Sequence, residues 1–137
     1  MEKIIIYADG ACRGNQFNEN IGAYGIVLIY NNYIKTLNGS YKNTTNNKME
    51  LIAVIEALRA LKKFDIPVEI YTDSQYVVST INEGWNKRAN IELWEQLDNL
   101  ISKFKIVNFY KVKGHNGNEY NEMADKLCND AMDEKGK

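Results

Sequence analysis

Two consecutive asparagines, Asn31-Asn32, separate the β-rich runs Ile21–Tyr30 and Tyr33–Tyr41. This layout specifies a tight hairpin, because asparagine tolerates the positive φ of a two-residue turn between twisted strands. A hairpin commits its strands to antiparallel pairing, so any further strand must extend one of its edges. The run Lys3–Asp9 is apolar and β-rich and reads as a strand, with Gly10, Gly14, Asn15 and Asn18 read as the turn residues that end it. Downstream the period changes. Asn46–Phe64 reads as a helix, with Leu51, Val54, Leu58 and Leu61 at three-to-four spacing. Pro67 introduces a strand, Val68–Thr72. Ser74–Glu83 and Ile91–Phe104 read as helices, Ile106–Val112 as a strand, Lys113–Asn118 as a loop and Glu119–Asp133 as a last helix. The order β-β-β-α-β-α-α-β-α implies an α/β fold. Its sheet is mixed and five-stranded, three antiparallel strands followed by parallel ones, and is flanked by helices.

The 137 residues suffice for one domain, 1–137, with a sizeable core. A formal net charge of −1 removes the argument for nucleic-acid binding from overall basicity. Apolar runs such as Ile4–Ala8 and Ala23–Tyr30 are far shorter than the ~20 residues of a membrane-spanning helix. The N-terminus enters a strand-like run at once, without a signal-peptide layout. Cys12 and Cys128 make no disulfide framework, so the expected compartment is the cytoplasm.

Four acids stand where apolar neighbours are the rule. Glu50 shares a helical stripe with Val54, Ala57, Leu58 and Leu61 and points toward the sheet; a capping box, with Asn47 as N-cap, accounts for it equally well. Asp9 shares a face with Ile5 and Tyr7, or is a turn aspartate before Gly10. Asp73 follows a strand at the end where open α/β sheets place their sites, or is an N-cap. Asp125 lies mid-helix on a stripe with Cys128 and Met132; a surface salt bridge is its ordinary alternative. The strands ending at Asp9 and Asp73 should be sheet neighbours, which sets these two acids side by side, and the two helices can then bring Glu50 and Asp125 to the same edge. Four such carboxylates repel and raise one another's pKa. Divalent cations offset this, and hard oxygen ligands suit Mg²⁺ or Mn²⁺. Two ions ~4 Å apart clamp the nucleophile and leaving group of a phosphodiester.

At these residues the chain resembles the type 1 ribonuclease H family. The matching stretches are Asp9-Gly-Ala-Cys-Arg-Gly-Asn15, Thr44-Thr-Asn-Asn-Lys-Met-Glu-Leu51, Thr72-Asp-Ser-Gln-Tyr76, Leu93-Trp94, and Lys113-Gly-His-Asn-Gly with Asn121-Glu-Met-Ala-Asp125. They keep the family's order and span nearly the whole chain. The resemblance implies a ribonuclease H-like fold. It also implies a metal-dependent endonuclease that cleaves the RNA strand of RNA–DNA hybrids, leaving 5′-phosphate and 3′-hydroxyl ends. Carried over by position, Asp9 bridges two Mg²⁺ ions, with Mn²⁺ able to substitute. Asp125 holds the metal that activates water, and Glu50 and Asp73 the metal on the leaving-group side. His115 serves proton transfer or product release, a role its reference pKa of ~6.5 suits.

The resemblance further assigns Cys12, Asn15, Asn46, Asn47 and Gln75 to the hybrid's minor groove and RNA 2′-hydroxyls, which amides can both donate to and accept from. Thr45 and Asn90 match a pocket for a DNA-strand phosphate, and Trp85 matches a residue packed on that strand's sugars. Plain packing for Cys12 and Trp85, and capping for Asn46-Asn47, are the ordinary alternatives. The chain departs from members with a long Lys-rich protrusion, since Gly84–Asn90 offers only Lys87 and Arg88, and from those with arginine at the place of Asn43. Both departures bear on affinity. A monomer without an obligate protein partner is expected. A catalytically silent hybrid-binding module gains nothing from clustered acids beside phosphates. A nuclease of the same fold acting on DNA junctions is disfavoured by the Asn-Asn, Ser-Gln and Asn15 set.

Overall fold

The structure, a computed structural model, describes residues 2–14, 20–84, 89–112 and 118–135. Its elements run β1 (Ile4–Gly14), β2 (Asn20–Tyr30), β3 (Tyr33–Lys42), α1 (Asn46–Arg59), β4 (Val68–Thr72), α2 (Gln75–Glu83), α3 (Ile91–Ser102), β5 (Val107–Lys111) and α4 (Glu119–Lys135). The five strands form one sheet in the order β3-β2-β1-β4-β5. Pairing is antiparallel for β1–β2 and β2–β3 and parallel for β1–β4 and β4–β5, as the sequence pattern requires. The Asn31-Asn32 turn closes the hairpin with Tyr30 opposite Tyr33, and Asn31 takes a φ of 54°. Among the described residues no helix is long and apolar enough to cross a membrane.

One face of β1 and β4 carries Ile4, Ile6, Ala8, Val68 and Ile70, all buried with α1 and α3 in the main core. α1 is buried over most of its circumference, including Leu51, Val54, Ile55 and Leu58, as a central helix must be. α3 closes the layer with Trp94 and Leu97, and the Trp94 Nε1–H donates to the Tyr76 hydroxyl at 2.9 Å. The opposite face of β1, β2 and β3 is covered by α4, whose Cys128, Ala131 and Met132 pack with Ala23. On the β4–β5 side that face presents a row of tyrosines instead, Tyr7–Tyr71–Tyr110, with ring centroids 5.0 and 5.2 Å apart. At the free edge, Ile106 and Val112 bond to β4, so by alternation the Phe109 carbonyl faces outward, where Asn82 Nδ2 donates to it at 3.0 Å.

Two boundaries depart from the sequence expectation by more than two residues. β1 continues through Gly10 to Gly14, with Gly10 opposite Tyr24. Gly10 is therefore not a turn residue: a Cβ there would lie 2.3 Å from the carbonyl carbon of Met49, so glycine admits α1 to the strand. α1 stops at Arg59 rather than Phe64. Beyond it the chain turns so that Phe64 meets Phe104 edge-on at 5.0 Å and the Phe64 carbonyl accepts from Lys105 N–H at 2.8 Å. Pro67 then biases its predecessor toward extended backbone, which leads into β4.

α4 approaches β2 as closely as α1 approaches β1. A Cβ on Gly25 would lie 2.0 Å from the Ala124 carbonyl oxygen, whereas one on Gly14 meets nothing within 4 Å. Gly25→Ala should therefore cost roughly 1–3 kcal/mol or more, the range for overpacking a tight contact. Gly14→Ala should stay within about 0.5 kcal/mol of wild type. Urea unfolding of the two variants measures the contrast.

Candidate active site

The site begins with how α1 is capped. Thr45 is the N-cap, its hydroxyl oxygen accepting from Lys48 N–H at 3.1 Å. Asn47 is therefore a first-turn residue, and the capping box with Glu50 does not form. Glu50 reaches the sheet instead. It is only 8% exposed, its Oε1 accepts from Gly10 N–H at 2.6 Å, and its Oε2 accepts from the Thr72 hydroxyl at 3.4 Å. One helical carboxylate is thus tied to both β1 and β4.

α2 frees Asp73 in the same way. Ser74 is its N-cap, accepting from Val77 N–H at 3.2 Å, so Asp73 is left as the half-buried residue after β4. Asp9 is buried, inside a strand rather than at a turn. The β1–β4 register pairs Tyr7 with Tyr71, and two residues further it sets Asp9 level with Asp73. Carboxylate oxygens of Asp9, Glu50 and Asp73 all lie within 4.8 Å of one another. Asp125, half-buried on α4, adjoins this trio through Asp9, whose carboxyl it helps push up. The surface salt-bridge alternative for Asp125 is not what the structure shows: Asn129 Nδ2 donates to its Oδ2 at 3.3 Å.

The electrostatics follow from burial and like charge. Burial, then the charge of Asp73, then Asp125, push the Asp9 carboxyl up to about 7. Burial and the charges of Asp9 and Asp73 raise Glu50 well above the usual carboxylate range, against the pull of the Gly10 N–H. Burial also pushes the Cys128 thiol up to about 12, with the charges of Asp9, Glu50 and Asp125 adding to it. Cys128 is an apolar filler beneath the acids; its Sγ lies 3.2 Å from the Ala23 carbonyl oxygen.

The other expected site residues distribute as follows. Asn46 and Asn47 are exposed in the first turn of α1, beside the capping Thr45. Gln75 opens α2, its Oε1 accepting from Lys111 Nζ at 2.7 Å and its amide nitrogen donating to Ser79. Cys12 is half-buried, with Sγ 3.5 Å from the Thr44 carbonyl oxygen. Asn90 precedes α3 at a φ of 57° and donates to the Tyr76 hydroxyl at 3.2 Å. It shares with Lys48 a cleft of about 480 Å³ between α1 and α3. Asn43, in place of arginine, sits at a φ of 54°, a conformation asparagine tolerates. Asn15, Trp85 and His115 lie outside the described residues, as do Lys87 and Arg88. The sequence reading missed Thr72, whose hydroxyl supports Glu50; its place before Asp73 was the available signal. It also missed Asn118, whose Oδ1 accepts from Tyr120 and Asn121 N–H groups at 3.1 and 3.0 Å and so starts α4.

Because folding raises the Asp9 pKa from 3.8 to about 7, the native state without metal binds a proton that the unfolded chain has lost. That contribution is full below about pH 4 and disappears as pH rises through about 7. In EDTA, the wild-type melting temperature should fall between about pH 5 and pH 8, whereas Asp9→Asn should lose much of this slope. Asp9→Asn should also be the more stable protein at the higher pH. Parallel melting curves against pH would contradict this electrostatic account.

The comparisons with known proteins agree with the geometry. The RNase H family model matches residues 1–133. The chain is 49% identical to a ribonuclease H of Clostridium botulinum, covering 98% of each chain. It is 42% identical to one of Acetivibrio thermocellus, covering 100% of this chain and 99% of that one. Among solved structures it resembles the N-terminal RNase H domain of a Mycobacterium tuberculosis protein, with a TM-score of 0.83, 27% identity and 99% and 97% of the two chains covered. It also resembles LC11-RNase H1 in complex with an RNA/DNA hybrid, with a TM-score of 0.82, 27% identity and 98% and 100% covered. With a matching order of elements, a matching sheet and an acidic cluster where β4 ends beside Asp9 of β1, the chain belongs to the ribonuclease H family.

Proposed function

We propose that the protein hydrolyses the RNA strand of RNA–DNA hybrids, leaving 5′-phosphate and 3′-hydroxyl ends, with two Mg²⁺ ions that Mn²⁺ can replace. The observation that carries the reading is the convergence of one carboxylate oxygen each from Asp9, Glu50 and Asp73 within 4.8 Å, where β4 ends beside the middle of β1. Three carboxylates held so near one another, two of them with raised pKa values, are costly by themselves. The donor set is all hard oxygen, which fits a divalent cation of the Mg²⁺ class. Asp9 would serve both ions, Glu50 and Asp73 the one on the leaving-group side, and Asp125 the one on the water side. Bound there, the ions would supply charge stabilisation at the phosphodiester and a more acidic water.

The chain's own residues do the rest. Gly10 N–H and the Thr72 hydroxyl donate to the two oxygens of Glu50 and fix its direction. The exposed amides of Asn46 and Asn47, with Gln75, Cys12 and Asn15, meet the minor groove and the RNA 2′-hydroxyls. Thr45 keeps its hydroxyl proton after accepting from Lys48, so it can still donate to a DNA-strand phosphate, as Asn90 can with its second amide hydrogen. Trp85 packs on that strand's sugars. His115 moves a proton near the scissile bond or helps product leave. The protein works as a monomer in the cytoplasm, a compartment that its two unpaired cysteines fit.

Labelled RNA–DNA hybrid, double-stranded RNA, single-stranded RNA and double-stranded DNA, incubated with Mg²⁺ and then with EDTA, test the activity. Only the hybrid should be cut, and EDTA should stop the reaction. Asp73→Asn should abolish cleavage with the fold intact; near-normal Mg²⁺-dependent turnover in that variant would overturn the assignment. His115→Ala should lower kcat with KM little changed. A positioned acid/base contributes ~10²–10⁴-fold, and an unaltered kcat would remove His115 from the chemistry.

A further inference from the structure

We propose that Arg13 and Asn129 are positioning residues for Asp125, holding α4 in register along β1 so that the fourth carboxylate meets Asp9. This rests on the reading of Asp125 as a metal ligand. Arg13 Nη2 donates to Asn129 Oδ1 at 2.8 Å, and Asn129 Nδ2 donates in turn to Asp125 Oδ2 at 3.3 Å. The other branch of the guanidinium, Nη1, pairs with Asp133 Oδ1 at 2.5 Å. Each group in the chain from Arg13 to Asp125 thereby has a fixed direction. The Asn129 amide turns its carbonyl to the cation and its NH₂ to the carboxylate. Asp125 keeps its second oxygen, Oδ1, for the cluster.

The spacing explains why one strand can do this. Asp9 and Arg13 are four residues apart on β1, ~13 Å at the rise of a strand. Asp125 and Asp133 are eight apart on α4, ~12 Å at the rise of a helix, and Asn129 lies between them on the same face. The two elements run side by side with matched intervals, so Asp9 addresses Asp125 while Arg13 addresses Asn129 and Asp133. The first pairing sets two acids side by side; the second, between a cation and its two acceptors, ties α4 to the end of β1. The planar guanidinium aims a separate nitrogen at each acceptor, whereas an ammonium offers both one freely rotating point charge.

Exposed ion pairs add little to stability, and the Arg13 and Asp133 side chains are 45% and 61% exposed. The effect should therefore appear in the metal site. Partners that orient a ligand typically change metal affinity or activity ~10–100-fold when removed. The test compares Asn129→Leu, Arg13→Met, Arg13→Lys and Asp125→Asn with wild type. Mg²⁺ affinity is measured by calorimetry, melting temperature in EDTA, and kcat and KM on one hybrid. Asn129→Leu and Arg13→Met should weaken Mg²⁺ binding ~10-fold and lower kcat, with KM and the melting temperature in EDTA nearly unchanged; Arg13→Lys should fall between. Wild-type Mg²⁺ affinity in Asn129→Leu, alongside an inactive Asp125→Asn, would overturn the positioning role alone. A melting temperature in EDTA that falls in step with affinity would make the contact merely structural. Wild-type affinity and turnover in Asp125→Asn would overturn the reading of Asp125 itself, and the proposal with it.

Discussion

At Gly10 the backbone of α1 comes so near β1 that a Cβ there would lie 2.3 Å from the carbonyl carbon of Met49. The hydrogen bond from Gly10 N–H to Glu50 Oε1, at 2.6 Å, is possible only at this separation. It draws a strand amide toward a helical carboxylate and away from a purely sheet-bound role. The position of α1 over the sheet, the burial of Met49 and Leu51 beside it and the direction of Glu50 all depend on that one approach. On the other face Gly25 gives α4 the same licence, with the Ala124 carbonyl in place of Met49. The two helices that contribute acids are thus pressed onto the sheet at two of its glycines, and the acids emerge between them.

The arrangement works against its own stability. Asp9 and Glu50 are buried, and each raises the pKa of the other or of a neighbour. A protein selected for stability alone would replace them, and their retention is the kind of local conflict that marks a functional site. The surroundings keep the conflict local. Thr45 and Ser74 cap α1 and α2, so neither helix draws Glu50 or Asp73 into its own first turn. Thr72 lends its hydroxyl to Glu50 and accepts from Ser74 N–H, joining β4, α1 and α2 through one side chain.

The architecture was legible because its signals were redundant. Hydrophobic alternation, the Asn31-Asn32 turn and helical periodicity all led to the same order of elements, and the register that aligns Asp9 with Asp73 followed from two parallel neighbours. Errors arose where one residue type has two uses. Glycine commonly ends a strand, and at Gly10 it instead admits a helix, a fact that depends on Met49, some forty residues distant in sequence. Asn47-x-x-Glu50 has the spelling of a capping box, and only the helix start at Asn46 shows that Thr45 takes the cap. Periodicity carried α1 to Phe64 because Leu61 keeps the stripe, while the contact of Phe64 with Phe104 lies outside any local pattern. The acids themselves were readable one by one. What no local pattern contains is Arg13, on an exposed strand end, tied to residues over a hundred positions away.

The bond from Asn82 to the Phe109 carbonyl has a meaning beyond the helix it anchors. β5 is a sheet edge, and a row of unsatisfied backbone groups there is a template for another chain's strand. α2 lays an amide across the middle of that row, so an incoming strand would have to displace a hydrogen bond already made. The same helix carries Gln75 at its other end, close to the acids. A loosened α2 would therefore both disturb the site and uncover a surface for self-association, which links the protein's solubility to the integrity of its working end.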